Sequence, residues 1–175
     1  LDVTLVEANP HLCGTCLLRG CIPSKALLHV AHVIAQVDDL SANWGVQYDA
    51  PVIDLAVIRQ RKESLISALA GGLSQLASRR KIRVIQARGE FVNSTTLHLE
   101  RDDKSITNDH TLTFDHCIVA TGSSVTVPPV WQTDSPRVMT SDEALQLSEI
   151  PSSLLVIGGG YIGLEPGSVY AQLGA

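Results

Sequence analysis

Three of the four cysteines fall in the stretch Cys13-Gly14-Thr15-Cys16-Leu17-Leu18-Arg19-Gly20-Cys21, and Ile22-Pro23-Ser24-Lys25 follows at once. Pro23 suits the first turn of a helix, where its missing N–H costs nothing, and the apolar run from Ala26 continues that helix. Cys21 then sits at a helix N-terminus, where free N–H groups and the helix dipole favour a thiolate, and Lys25 adds a nearby positive charge. Cys16 and Cys21 enclose four residues, and a ring that short stabilises a fold by only about 2 kcal/mol. The economical reading is a redox pair, a disulfide opened and closed by thiolate attack, rather than a staple. Other readings stay open. Cys13 and Cys16 form a thioredoxin-like Cys-Gly-Thr-Cys, though without the expected strand before it and helix directly after it. Cys13, Cys16 and Cys21 with His29 and His32 offer enough ligands for a zinc module. A non-catalytic remnant that binds partners is a further possibility. His11, His98, His110, His116 and Cys117 have no convergent partners in sequence and read as structural or surface residues.

The elements that must position these cysteines can be read in order. Residues 1–7 form a short strand ending on Glu7, as the second strand of a dinucleotide-binding unit ends on an acid for the adenosine ribose; the strand and Gly-rich turn that precede such an acid are not in the sequence. Residues 25–40 read as a helix with apolar residues on most sides, which predicts deep burial. A loop over 44–53 leads to a second helix over 54–78. Its inner face is predicted to be Val57, Ile58, Leu65, Leu69, Leu73 and Leu76, with Arg59, Arg61, Lys62 and Glu63 on the wet side. Gly71-Gly72 interrupts that helix at some cost in propensity.

From Ile82 the period changes to strands, over 82–92, 95–101 and 111–120, with a polar turn over 102–109, which together suggest an antiparallel meander. They deliver the chain to Ala120-Thr121-Gly122-Ser123, a small-residue loop where bare backbone can approach a ligand. Val127-Pro128-Pro129 begins a linker, and Thr140-Ser141-Asp142-Glu143 is a capping box opening a short helix that ends near Leu147. A strand over 154–157 then meets Gly158-Gly159-Gly160-Tyr161-Ile162-Gly163, which fits GxGxxG before a helical stretch over 164–173. The acid expected about twenty residues after such a turn would lie beyond Ala175, so the sequence reads as a piece of a longer one.

Composition narrows the partners. With 13 Lys and Arg against 18 Asp and Glu, the net charge of −5 offers no basic field for nucleic acid and no polybasic membrane patch. No charged leader precedes an apolar stretch and no apolar run is long enough to span a bilayer, so a cytoplasmic location is the expectation. In that compartment clustered cysteines are catalytic or metal-binding more often than structural. A hydrophobic content of 45% fits a buried core.

Thr15-Cys16, the run from Gly20 to Leu28, the Gly71-Gly72-Leu73 helix leading to Arg88-Gly89-Glu90-Phe91, Ala120 to Ser123, and 158–165 resemble, in that order, the pyridine nucleotide-disulfide oxidoreductases. Ile22-Pro23-Ser24-Lys25 is closer to the dihydrolipoyl dehydrogenases of that family than to glutathione reductases, and a mercuric-reductase-like member is the alternative. The resemblance implies an α/β fold. A Rossmann-like FAD-binding domain, carrying the meander and lacking its first strand and Gly-rich turn, would cover 1–148, and a second Rossmann-like, NAD-binding domain would begin at 149–175. It further implies that Cys16 exchanges with dihydrolipoamide, that Cys21 lies against the flavin, and that electrons pass from dithiol to disulfide to FAD to NAD. Glu7 would hold the FAD ribose, and Gly14, Thr15, Lys25, Gly89, Ala120, Thr121 and Gly122 would line the FAD site. Lys25 would pair with Glu165 near the reactive flavin nitrogen, and Gly158, Gly160 and Gly163 would accept the NAD pyrophosphate. The implied partners are the lipoyl domain of a 2-oxo acid dehydrogenase complex and a second copy of the full-length protein. The family's catalytic His and its Glu partner come from an interface domain outside this sequence, so these residues alone are expected to be inactive.

Six positions depart from the family pattern: Cys13 replaces a glycine, Leu18-Arg19 replaces Asn-Val, Ser124-Val125 replaces Arg-Pro, and Pro166 falls inside the last helix. Its ring and missing N–H are expected to kink that helix or delay its start, and to put the Lys25 to Glu165 pairing at risk.

Overall fold

The structure, a computed structural model, describes residues 1–100 and 110–175; the expected turn over 102–109 and the strand end at Arg101 lie outside the described residues. The chain divides into two compact units, Leu1–Gly14 with Ala68–Gly122, and Thr15–Ser67 with Ser123–Ala175.

In the first unit β1 (Thr4–Glu7) pairs in parallel with β2 (Arg83–Gln86), Thr4 opposite Arg83 and Glu7 opposite Gln86. A parallel pair needs a long crossover, and the chain between these strands supplies it. The strands β3 (Arg88–Asn93), β4 (Thr96–Glu100) and β5 (Thr111–Thr113) form the expected antiparallel meander, in the order β3-β4-β5. The strand expected over 82–92 is thus two strands serving two sheets. They part at Ala87, which is buried and whose N–H donates to the Glu7 carbonyl at 3.0 Å. Ile85, Ala87 and Leu99 form the core of this unit, with Val6, Leu97 and Leu112 against them. The strand expected over 111–120 stops at Thr113. Ile118 and Val119 are apolar enough for a strand but exposed, with no ladder partner among the described residues.

The second unit begins with α1 (Thr15–Arg19) and α2 (Cys21–Asn43), with Gly20 as the N-cap of α2. The helix therefore starts four residues earlier than the 25–40 reading and ends three later. Its buried residues are Pro23, Ser24, Leu27 and Ala31, one stripe at helical spacing, while His29, His32 and Val33 are exposed. The expected deep burial on most sides is not observed; only the stripe facing the core is covered.

The helix α3 (Leu55–Arg79) has residues in both units and is opened by Asp54, whose Oδ1 accepts from the N–H groups of Ala56 and Val57 at 2.9 and 3.1 Å. Its buried residues are Lys62, Ile66, Ala70 and Ala77, whereas Val57, Leu65, Leu69, Leu73 and Leu76 are exposed. The inner face lies about one residue, a 100° turn, from the predicted one. Lys62, expected on the wet side, is 5% exposed and donates to the Leu145 carbonyl at 2.7 Å.

A 3₁₀ turn at Pro129–Trp131 precedes α4 (Ser141–Ala144). The capping box is complete: the Asp142 N–H donates to Thr140 Oγ1 at 3.3 Å and the Thr140 N–H donates to Glu143 Oε2 at 2.7 Å. Hydrogen bonds from the Thr140 side chain, then its backbone, hold the Glu143 carboxyl below its usual range. After α4, Leu147 is fully buried with φ of 52°. Left-handed backbone costs a leucine about 1–2 kcal/mol. Burial of the side chain offsets it, as do the bonds from Lys62 to Leu145 and from Arg59 to the Leu147 and Ser148 carbonyls at 2.9 and 3.1 Å.

The last helix, α5 (Tyr161–Leu173), buries Val169, Tyr170 and Leu173. These pack with Leu27 and Ala31 of α2 and with Leu145 and Leu147 as the core of this unit. The apolar segment over 154–157 is not a strand. Leu155 and Ile157 are exposed, without a ladder partner among the described residues.

Candidate functional site

Cys16 lies in α1 and Cys21 is the first residue of α2, and the two are joined in a disulfide with Cα atoms 4.7 Å apart, inside the range a bridge spans. Gly20, the N-cap of α2, interrupts the helical path between the short α1 and the long α2, between the two cysteines. A side chain at Gly20 would press on the Thr15 carbonyl oxygen at 3.2 Å. Cys13 and Cys117 are free, the first buried and the second exposed. Burial, and secondarily the Glu7 carboxylate, push the Cys13 thiol up, so it stays protonated where a reactive thiol would ionise.

One turn beyond Cys21, Lys25 Nζ meets Glu165 Oε1 at 2.5 Å. The hydroxyl of Ser24 donates to the other oxygen, Oε2. Lys25 first, then Ser24, hold the Glu165 carboxyl below the usual carboxylate range. Residues 140 positions apart in the chain thus meet near the N-termini of α2 and α5, each at the fifth residue of its helix. Ser24 is the member that the sequence reading missed. Its one signal there was a polar residue on the inward stripe of an otherwise apolar helix.

The helix that carries Glu165 contains Pro166 and is unbroken from Tyr161 to Leu173. The expected late start is therefore corrected, and the Lys25 to Glu165 pairing that it put at risk is present. The first turn closes through the Leu164 N–H to the Gly160 carbonyl at 3.0 Å, ahead of the proline. The carbonyl deprived of a donor is that of Ile162, an exposed residue, where water can replace it.

The three glycines before α5 have distinct roles. Gly158 has φ of 111°, a left-handed turn. Gly160 is the N-cap, with open space where a Cβ would stand. A Cβ on Gly163 would lie 2.3 Å from the Gly158 carbonyl oxygen, so only glycine lets the helix pack there. The bare turn and the free N–H groups of the 13-residue helix suit a pyrophosphate.

In the first unit, Glu7 ends β1 as expected. Its Oε1 accepts from the Asn9 N–H at 2.8 Å and from Asn9 Nδ2 at 2.7 Å, while Oε2 has no partner among the described residues and is free to accept from ribose hydroxyls. A cleft of about 370 Å³ beside it is lined by Asn9, Leu12, Ser74, Ser78 and Gln86. Gly89 stands near Val6 and Leu97, where a Cβ would make ordinary contacts at 3.7 and 3.8 Å. Ala120, Thr121 and Gly122 are exposed and outside regular structure, with Gly122 at φ of 77°, and Gly14 is likewise exposed. Thr15 and Lys25 belong to the second unit, where Thr15 Oγ1 donates to the Ser123 carbonyl at 3.3 Å.

The zinc alternative is not assembled. Cys16 and Cys21 are bonded to each other, and among the described residues no three His, Cys, Asp or Glu side chains lie together as ligands. No helix among them is long and apolar enough to cross a membrane.

The family described as "Pyridine nucleotide-disulphide oxidoreductase" matches residues 1–175. A dihydrolipoyl dehydrogenase of Haemophilus influenzae is 42% identical over 175 residues, covering 100% of this chain and 36% of that protein. The HOCl-induced flavoprotein disulfide reductase RclA of Escherichia coli, solved as a Cu(II) complex, superposes with a TM-score of 0.75 at 29% identity, over 100% of this chain and 35% of that one. LpdA of Mycobacterium tuberculosis gives a TM-score of 0.81 at 24% identity over 98% and 37%, a likeness of fold. The chain spans about a third of the length of the relatives it matches.

Proposed function

The chain belongs to the pyridine nucleotide-disulphide oxidoreductase family, and from that premise we propose that its protein reoxidises lipoyl-bound dihydrolipoamide, with electrons passing through Cys16 and Cys21 to FAD and then to NAD. The observation that carries this reading is the Cys16–Cys21 disulfide, with Cys21 at the head of α2 and a lysine one turn away. Its dihydrolipoyl dehydrogenase relatives support the substrate class. One dihydrolipoamide thiolate attacks Sγ of Cys16, forming a mixed disulfide and releasing Cys21 as a thiolate. The second substrate thiolate attacks the mixed disulfide, closing the lipoamide ring and leaving Cys16 as a thiolate. Two electrons now reside on the cysteine pair, and both substrate protons have gone to solvent. The N-terminus of α2 and the Lys25 ammonium stabilise the Cys21 thiolate, and Glu165 holds that ammonium. Bound FAD would supply the two-electron relay between the thiols and the nicotinamide.

In this reading Glu7 binds the FAD ribose, with Gly14, Thr15, Lys25, Gly89, Ala120, Thr121 and Gly122 lining the flavin site. Gly158, Gly160 and Gly163 take the NAD pyrophosphate. The division into a Rossmann-like FAD-binding domain over 1–148 and the start of an NAD-binding domain at 149–175 follows ligands rather than packing. The partners are a lipoyl domain of a 2-oxo acid dehydrogenase complex and a second copy of the protein, in a reducing cytoplasm that suits a disulfide meant to open. The test is reduction of NAD by dihydrolipoamide, followed at the nicotinamide absorbance in the intact protein. Cys16→Ser and Cys21→Ser should each abolish it; turnover retained by either variant would refute the assignment.

A further inference from the structure

We propose that Ser24 is a positioning residue of this site: its hydroxyl holds one oxygen of Glu165 while Lys25 holds the other, so that the ammonium stays on the side of α2 that carries Cys21. Serines within helices commonly turn the hydroxyl back to the carbonyl four residues earlier. In this chain Ser64 does so to Gln60 at 2.8 Å, Ser74 to Ala70 at 3.3 Å and Ser168 to Leu164 at 2.8 Å. Ser24 does not. Its backbone N–H donates to the Gly20 carbonyl at 3.0 Å, but its hydroxyl reaches across to Glu165, 141 positions away. Ser24 is 5% exposed, so no water stands in readily for that acceptor.

The spacing gives the contact its consequence. Cys21, Ser24 and Lys25 are residues i, i+3 and i+4 of one helix and share a face. Lys25 is largely exposed, its side chain 60% accessible, and would otherwise sample many rotamers. A carboxylate fixed at both oxygens leaves it one partner in one place. Without the hydroxyl, the Glu165 carboxylate loses its second tether and can swing on its side-chain torsions, and the ammonium paired with it loses its fixed position relative to the Cys21 sulfur. The hydroxyl also favours the ionised carboxyl, adding to Lys25 in holding Glu165 below the usual carboxylate range.

The consequence for Cys21 rests on the proposed function above, whereas the contact with Glu165 can be tested without it. In intact protein labelled with 13C-glutamate, the Glu165 carboxyl resonance is identified by its loss in Glu165→Gln and titrated in wild type, Ser24→Ala, Ser24→Gly and Ser24→Thr. The midpoint should move up in Ser24→Ala and Ser24→Gly and return toward wild type in Ser24→Thr, which restores a hydroxyl. In the reduced protein, the pH midpoint for alkylation of Cys21 should rise in the same two variants. A purely structural Ser24 would alter melting temperature and leave both midpoints in place. An unchanged Glu165 midpoint in whichever of Ser24→Ala and Ser24→Gly is folded, or a failure of both to fold where Ser24→Thr folds with a normal midpoint and Glu165→Gln is as stable as wild type, overturns the inference. If dihydrolipoamide fails to open the disulfide while the Glu165 midpoint moves as stated, the proposed function fails and the positioning role stands.

Discussion

Lys25 links two ionisable side chains, Glu165 through an ion pair and Cys21 through its place one turn earlier in α2. Once the disulfide is reduced, Cys21 is a thiol at the head of a 23-residue helix with an ammonium one turn on. Its alkylation by iodoacetamide should therefore have a midpoint below about 8.5, the value of an ordinary thiol. Lys25→Met should raise it, and equal midpoints in the two proteins would show that the lysine does not act on the thiolate. Glu165 makes the complementary case for stability. Its folded carboxyl titrates lower than a free one, so its contribution is fully present above the unfolded value of about 4.3 and is lost as pH falls through the folded value. Lys25 is too exposed for a large effect, and about 1 kcal/mol at neutral pH is the expected scale. Glu165→Gln should melt lower than wild type at pH 7, and the gap should close below about pH 4. A gap that persists into acid would mean that the glutamine disrupts packing rather than removing a charge.

Helices differ in how much of their role is written locally. The capping box at Thr140 and the Gly-rich turn were legible because each is a contact between residues a few positions apart, whereas Asp54, read as the first residue of its helix, is the cap before it. The face of α3 was not, since its leucines and its Lys62, Ile66, Ala70 and Ala77 stripe both recur at helical spacing. Which stripe turns inward depends on where a distant segment offers carbonyls to Lys62, and no local pattern records that. Lys62→Ala leaves the Leu145 carbonyl buried without its donor and should cost about 1.5–3 kcal/mol, read as a lower denaturation midpoint. Ser24 was missed for the same reason, its partner lying in another helix. Pro166 shows local reasoning carried too far: the propensity cost is real, but the first turn closes before the proline and Glu165 keeps its partners. Pro166→Ala should raise the melting temperature and leave NADH-driven flavin reduction unchanged. A changed rate would mean that the proline does shift Glu165.

Among the described residues many large apolar side chains are left exposed. Leu65, Leu69, Leu73 and Leu76 line one exposed side of α3, and Ile118, Leu155 and Ile157 are 92%, 84% and 64% exposed. Strand-forming segments left without ladders and apolar stripes of this size favour association. The 175 residues expressed alone should therefore bind a hydrophobic dye and elute as large species in size exclusion with light scattering. A monodisperse monomer would contradict that. The antiparallel meander was legible, but the parallel pairing of β1 with β2 and the segments over 117–120 and 154–157 were not, because a strand is defined by its neighbour as much as by its own residues.

The proposed function depends on Cys16 and Cys21 forming the pair that carries electrons. Differential alkylation of the intact protein tests it most directly, before and after one equivalent of dihydrolipoamide without oxygen, each cysteine being followed by peptide mass. The labels on Cys16 and Cys21 should appear only after reduction. The exposed Cys117 should be labelled equally in both samples and the buried Cys13 should be labelled little in either. New label on Cys13 in place of Cys21, or no new label on either Cys16 or Cys21, would contradict the account.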